Sequence, residues 1–358
     1  METYRVLSIN PGSTSTKIAV FDNDKEVLSK TLRHDSKELA QFNELMDQLD
    51  FRKNIVEEAL IENDISVNSL DAVVGRGGLV RPLASGIYKV NDKMFKDLKD
   101  KSLWGRTHAS NLGAFIADAI GNDANIPAYI ADPVTVDEMD DIARISGVPE
   151  IERQSLLHAL NIKSIARKTA AKIGKPLSES NLIACHMGGG ISVAAMRDGK
   201  VVDVNNALLG MGPFSPQRAG ALPLSGIINL CYSGEYTKAE LEKKLVKKSG
   251  LMGYLGTDSG IEIEKEIDNG NEKYEKILRA LAYQISKEIG LCSTVLKGDV
   301  DAIFLTGGLA YDKYLTRWIK DRTSFIAPIH IFPGEGEMEA LAEAGVRALS
   351  GEEVPKDY

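Results

Sequence analysis

The sequence predicts an α/β protein made of two related halves, and three observations lead there. β-Branched segments that end in turn signals alternate with segments of helical apolar spacing along the chain. A strand, small-residue loop and strand near the N-terminus recur about half a chain later. The 358 residues, set against a typical domain of about 150, leave room for two domains.

The first strand is Tyr4 to Ile9, stopped by Asn10-Pro11-Gly12, and Lys17 to Asp22 is its hairpin partner. Asp35 and Glu38 form a capping-box signature, and Leu39, Phe42, Leu45, Met46 and Leu49 follow at helical spacing, so a long helix is expected there. A further helix runs over Ile55 to Asn63. Asp71 to Val74 is a buried strand before Gly75-Arg76-Gly77-Gly78. Asn111 to Ile120 is helical, and Ala128 to Ala131 is a strand ending at Asp132-Pro133. Ser146-Gly147-Val148-Pro149 breaks regularity and is the candidate domain joint. A helix follows over Ser155 to Ile173. Asn181 to Cys185 and Ile191 to Met196 then repeat the hairpin around His186 to Gly190. Asp22 follows Asn10 at the distance at which Asp198 follows His186, which sets Ser13 on Gly189 and Thr16 on Ser192. The helix Tyr274 to Leu296, the strands Asp301 to Leu305 and Ile329 to Phe332, and the helix Glu337 to Leu349 complete the order.

Apolar residues make up 43% and charged residues 26%, which excludes a disordered or collagen-like chain. The net charge of −8 removes the basic field that nucleic acid requires. Cys185, Cys231 and Cys292 lie far apart and form no CxxC pair, against a structural zinc site and in keeping with a reducing compartment. The N-terminus lacks the apolar core of a signal peptide, and uncharged stretches are shorter than a membrane span. A soluble, cytoplasmic protein is the expectation, with no membrane or nucleic-acid partner.

Three glycine-bearing strand ends point to phosphate chemistry. Asn10 to Lys17 (NPGSTSTK) offers the hydroxyls of Ser13, Thr14, Ser15 and Thr16, with Lys17, as donors to phosphate oxygens. It lacks the spacing of a P-loop, and no GxGxxG occurs. His186 to Gly190 (HMGGG) places Gly188, Gly189 and Gly190 after a buried strand, a row of N–H groups suited to a polyphosphate. Thr306-Gly307-Gly308 repeats the logic. Ligands gather at the carboxyl ends of strands in such sheets, so the three loops favour one nucleotide in a cleft between two domains. Arg76, in G-R-G-G directly after a buried strand, and Arg218, in S-P-Q-R-A-G after a glycine- and proline-rich stretch, can supply fixed donors to carboxylate and phosphoryl oxygens. His108 and His158 sit beside apolar helical sequence, as cap, core or site residues. Asp132 can cap a turn or hold Mg²⁺. Glu337 suits the positive end of the last helix and can also contribute to a metal site.

Taken together, these segments resemble the butyrate kinase branch of the acetate kinase family, within the actin-like ATPase superfamily. NPGSTSTK resembles the first phosphate loop of that family, HMGGG the second and FLTGG the adenosine motif. THASNLG, DPVTVDEM, HALN, DVNNALLGMGPFSPQRAG and PGEGEMEALA resemble butyrate kinase segments, so the likeness spans nearly the whole chain. The resemblance implies two ribonuclease H-like domains with a nucleotide cleft between them. The first would span 1–147 with a returning C-terminal helix at 340–358, and the second, at 148–339, would carry most of the nucleotide site. It implies ATP or ADP and Mg²⁺, and at least a dimer, formed through the second domain.

The resemblance also assigns roles. Asn10, Ser13, Thr14, Ser15 and Lys17 would serve the first phosphate loop, and His186, Gly188, Gly189 and Gly190 the second. Gly307 and Gly308 would meet the adenosine. Arg76 and Arg218 match the two arginines that clamp the carboxylate and the moving phosphoryl group. His108 matches a histidine of an HxxNL-type segment. Asp132 and Glu337 match the acids that serve Mg²⁺, Asp132 also in catalysis. His158 stands in RQSLLHALN, where acetate kinases carry FHGTSH, and Gly189 replaces an asparagine of their second loop. The implied activity is reversible phosphoryl transfer between ATP and a short-chain carboxylate, butyrate or a branched analogue ahead of acetate or propionate. An actin-like or chaperone-like ATPase, and a hydroxyl-group kinase using Asp132 as base, are the alternatives.

Overall fold

The structure is a computed structural model that describes residues 2–105 and 107–358. Packing separates the chain into Met1–Val136 with Gly336–Tyr358, and Asp137–Glu335.

The first unit is built on a seven-stranded sheet. Its strands are β1 (Arg5–Pro11), β2 (Ser15–Asp22), β3 (Lys25–Arg33), β4 (Ala72–Arg76), β5 (Ile87–Lys89), β6 (Ala128–Ala131) and a terminal pair, Lys356–Asp357. The order runs from Lys356–Asp357 through β5, β6, β4, β1 and β2 to β3. β1, β2 and β3 form an antiparallel meander, and β4 and β6 run parallel to β1. Alternation along β1 decides which face is which. Leu7 and Ile9 pack with Val56, Leu60, Leu112 and Ile116 from the helices Leu49–Ile61 and Leu112–Ala124. Val6 and Ser8 face the helix Glu337–Leu349, where Ser8 Oγ donates to Met338 O at 2.8 Å. A β-carbon on Gly345 would stand 2.7 Å from Val6, so glycine lets that helix lie on the sheet.

The second unit carries five strands, β7 (Leu182–Met187), β8 (Ile191–Arg197), β9 (Lys200–Val204), β10 (Ala302–Gly307) and β11 (Ile329–Pro333), in the order β11, β10, β7, β8, β9. β7, β8 and β9 form an antiparallel meander, and β10 and β11 run parallel to β7. Ile183, Cys185 and Met187 join the core made with the helices Glu272–Val295 and Lys313–Thr323. His186 therefore faces the opposite side, toward the helix Ala159–Ile173.

The two sheets share one plan, since β3-β2-β1-β4-β6 and β9-β8-β7-β10-β11 have the same order and strand senses. The register corrects the sequence alignment by one residue. Asn10 pairs with Lys17, whereas His186 pairs with Ser192, so the first hairpin loop is one residue longer. Lys17, rather than Thr16, is the counterpart of Ser192. Downstream, both meanders carry a bulge at matching places, Val20/Phe21 and Ala195/Met196. Both then turn through a left-handed residue, Asn23 at φ 55° and Asp198 at φ 52°.

Two further expectations change. The capping box at Asp35 forms, with Lys37 N–H donating to Asp35 and Asp35 N–H donating to Glu38, but its helix lasts one turn, Ser36–Leu39. A second start signal, Glu44 with Asp47, opens a new turn before Leu49–Ile61. The segment after Val136 packs with the second unit ahead of the Ser146–Pro149 turn. Asp140 N–H donates to Val202 O at 3.0 Å, and Glu138 meets the buried Lys163 at 2.6 Å.

Candidate active site

In the first unit, Asn10, Arg76 and Glu337 converge from the ends of β1 and β4 and the start of the last helix. Asn10 Nδ2 donates to Glu337 Oε2 at 2.6 Å. Arg76 Nη1 donates to Asn10 Oδ1 and Glu337 Oε2, each at 3.3 Å, and Arg76 Nη2 lies 3.1 Å from Glu337 Oε1. The guanidinium thus presents its fork to a carboxylate, the geometry that suits it to a substrate carboxylate or phosphoryl group. Gly75 lets β4 deliver Arg76 close to the helix Leu112–Ala124, because a β-carbon there would meet Gly113 O at 2.2 Å.

Asp132 directly follows β6, at φ 38° and almost fully buried. Its Oδ1 accepts from Ser85 Oγ at 2.6 Å and Gly86 N–H at 2.8 Å, so it does cap a turn. His108 is an exposed cap as well, with its Nδ1 accepting from Ser110 N–H at 3.2 Å. Ser13 and Thr14 are exposed in the first loop, Ser15 is half-buried, and Lys17 is exposed on β2. Beneath this loop lie two residues absent from the sequence-based candidates, Arg52 and His34. Burial lowers the Arg52 pKa to about 10. Burial and the neighbouring Arg52 charge lower that of His34 to about 4, so its ring is neutral.

In the second unit, His158 and His186 stack with ring centroids 4.0 Å apart. His158 Nδ1 lies 2.9 Å from Ser192 Oγ. His186 Nδ1 lies 2.7 Å from Asn161 Oδ1, an oxygen that can only accept, so the ring proton sits on Nδ1. The Gly188–Gly190 loop is braced by Ser215, whose Oγ donates to Gly189 O at 2.8 Å and accepts from Arg218 N–H at 3.1 Å. Arg218 Nη1 donates to Ala207 O and lies against Gly190, where a β-carbon would collide with it. Gly307, at φ 88°, brings the end of β10 against Met187, where a β-carbon would stand 2.5 Å from Met187 O.

These loops open on a cavity of about 470 Å³ whose lining includes Gly188, Gly189, Gly308, Leu309, Tyr311, Asp312, Asp258, Gly260, Ile261 and Glu264. Asp312 Oδ1 accepts from Tyr314 N–H and Leu315 N–H at 2.9 and 2.8 Å. Its Oδ2 is buried with no hydrogen-bond partner among the described residues, and burial raises its pKa.

The sequence profile of the Acetokinase family matches residues 151–318. Butyrate kinase 1 of Clostridium acetobutylicum is 51% identical over 356 residues, and the match covers 99% of each chain. The chain belongs to the Acetokinase family. Solved structures show the same fold. A Porphyromonas gingivalis acetate kinase has a TM-score of 0.78 at 18% identity, covering 96% of this chain and 99% of that one. A Francisella tularensis propionate kinase has a TM-score of 0.74 at 15% identity, covering 95% and 98%. The fold is thus the two-domain actin-like ATPase fold, and the duplicated sheets are its two ribonuclease H-like domains.

The Acetokinase-family chain has donors that fit Mg²⁺. A Mg²⁺ ion bound with a nucleotide needs one or two carboxylates, the rest of its shell being water and phosphate. Asp132 and Glu337 are hard oxygen donors at a strand end and a helix start. Among the described residues, no three His, Cys, Asp or Glu side chains cluster as an all-protein metal cage.

Proposed function

We propose that this Acetokinase-family enzyme transfers the γ-phosphoryl group of ATP reversibly to a short-chain carboxylate, giving ADP and an acyl phosphate. Butyrate or a branched analogue is the acceptor this reading favours. The observation that carries it is the Asn10–Arg76–Glu337 cluster, in a chain 51% identical throughout to a butyrate kinase.

A carboxylate is ionised at pH 7 and needs no general base. The task is to bring two anions together, so positioning and charge neutralisation dominate. One carboxylate oxygen attacks the γ-phosphorus in line. The bond from that phosphorus to the bridging oxygen breaks, and ADP leaves with the electron pair. Arg76 and Arg218 neutralise the carboxylate and the equatorial phosphoryl oxygens, and His108 and His158 add donors. Ser13, Thr14, Ser15 and Lys17 with Asn10, and His186 with Gly188, Gly189 and Gly190, position the polyphosphate. Gly307 and Gly308 let the adenosine approach. Asp132 and Glu337 would hold Mg²⁺, which supplies charge neutralisation to the terminal phosphates when bound.

The same reading makes the enzyme a cytoplasmic homo-oligomer. In support, no described helix is long and apolar enough to cross a membrane, and Ile142, Ile145 and Ile151 lie exposed on the second unit.

Arg76→Ala and Arg218→Ala test the chemistry, with acyl phosphate trapped by hydroxylamine. Loss of one such electrostatic contact should cut turnover by about 100-fold or more. Near-normal turnover in both variants would overturn the assignment.

A further inference from the structure

We infer that Arg52 is a positioning residue of the first phosphate loop, holding its carbonyls inward and placing beneath it a positive charge that no acidic side chain neutralises. The inference rests on the reading above, that this loop receives the polyphosphate of ATP.

Arg52 rises from the helix Leu49–Ile61 and is fully buried. A buried charge is ordinarily paired with an opposite one, since taking an ion out of water is costly. Here every acceptor is neutral. Nη1 donates to Gly12 O at 2.9 Å, Ser15 O at 3.1 Å and Thr16 Oγ1 at 3.1 Å. Nη2 donates to Ser13 O at 3.2 Å, and Nε and Nη2 both reach Gln48 Oε1. No carboxylate pairs with Arg52 among the described residues.

The carbonyl still missing from that set, Thr14 O, accepts from His34 N–H at 3.0 Å. His34 Nε2 in turn lies 2.8 Å from Thr16 Oγ1, which ties His34 and Arg52 into one network. All four carbonyls from Gly12 to Ser15 therefore have partners within the fold. In a trans peptide the N–H points opposite to the C=O, and no cis bond occurs among the described residues. Turning the Gly12 and Ser13 carbonyls toward Arg52 thus turns the Ser13 and Thr14 N–H groups away from it. Both residues are exposed. The loop offers donors outward, backed by an uncompensated cation, and that combination selects an anion.

The test compares ATP with adenosine, because only ATP carries the phosphates that this loop would meet. Binding of each is measured by calorimetry on the full chain for the wild type, Arg52→Gln and Arg52→Lys, with melting curves taken without ligand. Arg52→Gln should weaken ATP on the order of tenfold or more and leave adenosine within about twofold. Arg52→Lys keeps the charge without the fork and should fall between the wild type and Arg52→Gln. Equal loss for ATP and adenosine, or no loss for either in a folded variant, overturns the inference. Should Arg52→Gln fail to fold, Arg52→Lys decides by the same comparison, with about a threefold selective loss of ATP as the threshold. A wild type that does not bind ATP refutes the phosphate-loop reading itself. A wild type that binds ATP, beside unaffected Arg52 variants, refutes only the role given to Arg52.

Discussion

His34 shows how one buried side chain near the first loop links that loop to pH. Its folded pKa of about 4 lies below the value of about 6.5 expected in an unfolded chain. As pH falls, the unfolded state takes up the proton first. This residue therefore has no effect on stability above about pH 6.5 and subtracts on the order of 2 kcal/mol by pH 5. His34→Gln should flatten the pH dependence by that amount when urea unfolding at pH 7.5 is compared with pH 5. An unchanged pH difference would contradict the burial argument. Neither His34 nor Arg52 was legible in the sequence. An arginine in a helical run is ordinarily solvated, and only the fold brings helix Leu49–Ile61 beneath residues some forty positions earlier. Arg76 and Asn10 were legible as candidates because each stands beside glycine or proline at a strand end. Their meeting with Glu337, from the far end of the chain, was not.

At the scale of elements, sequence reading missed strands for different reasons. β3 is an edge strand with no fully buried residue, and it carries Lys25, Glu26, Lys30 and Arg33, charges that also protect an open edge. β5 has only three residues, whereas β9 carries three buried valines and was passed over directly after the Asp198-Gly199 turn. The long helix expected after Asp35 broke because a second capping signal competes with the first. Two contacts between elements can be tested directly. Gly75→Ala would place a β-carbon 2.2 Å from Gly113 O, where neither backbone can yield. It should cost about 3 kcal/mol of stability, read from the urea midpoint. Glu138→Ala would strand Lys163, whose side chain is 3% exposed and also donates to Gly199 O. A loss of about 3–5 kcal/mol is expected, and a loss below about 1 kcal/mol would show that this pair does not fasten residues 137–140 to the second unit.

Across the whole molecule, the duplication was legible because a hairpin with a small-residue loop is a local pattern. Its register was not, since one extra loop residue leaves the polarity pattern almost unchanged while shifting every pair. The division of the chain at Val136 also escaped, because it is set by long-range bonds such as Asp140 to Val202 rather than by a turn signal. The net charge of −8 gains meaning at this scale. An acidic protein that joins two anionic substrates must offset its own charge where they bind, and in the first unit Arg52 and Arg76 are brought to the ends of β1 and β4. The most direct test is an acceptor assay with ATP and Mg²⁺, offering butyrate, isobutyrate, propionate, acetate, glycerol and glucose in turn and following ADP release and hydroxylamine-trapped acyl phosphate together. Trapped product that matches ADP release, with kcat/KM highest for butyrate or isobutyrate, is the expected result. ADP release without trapped product, or with a hydroxyl acceptor alone, would contradict carboxylate phosphorylation.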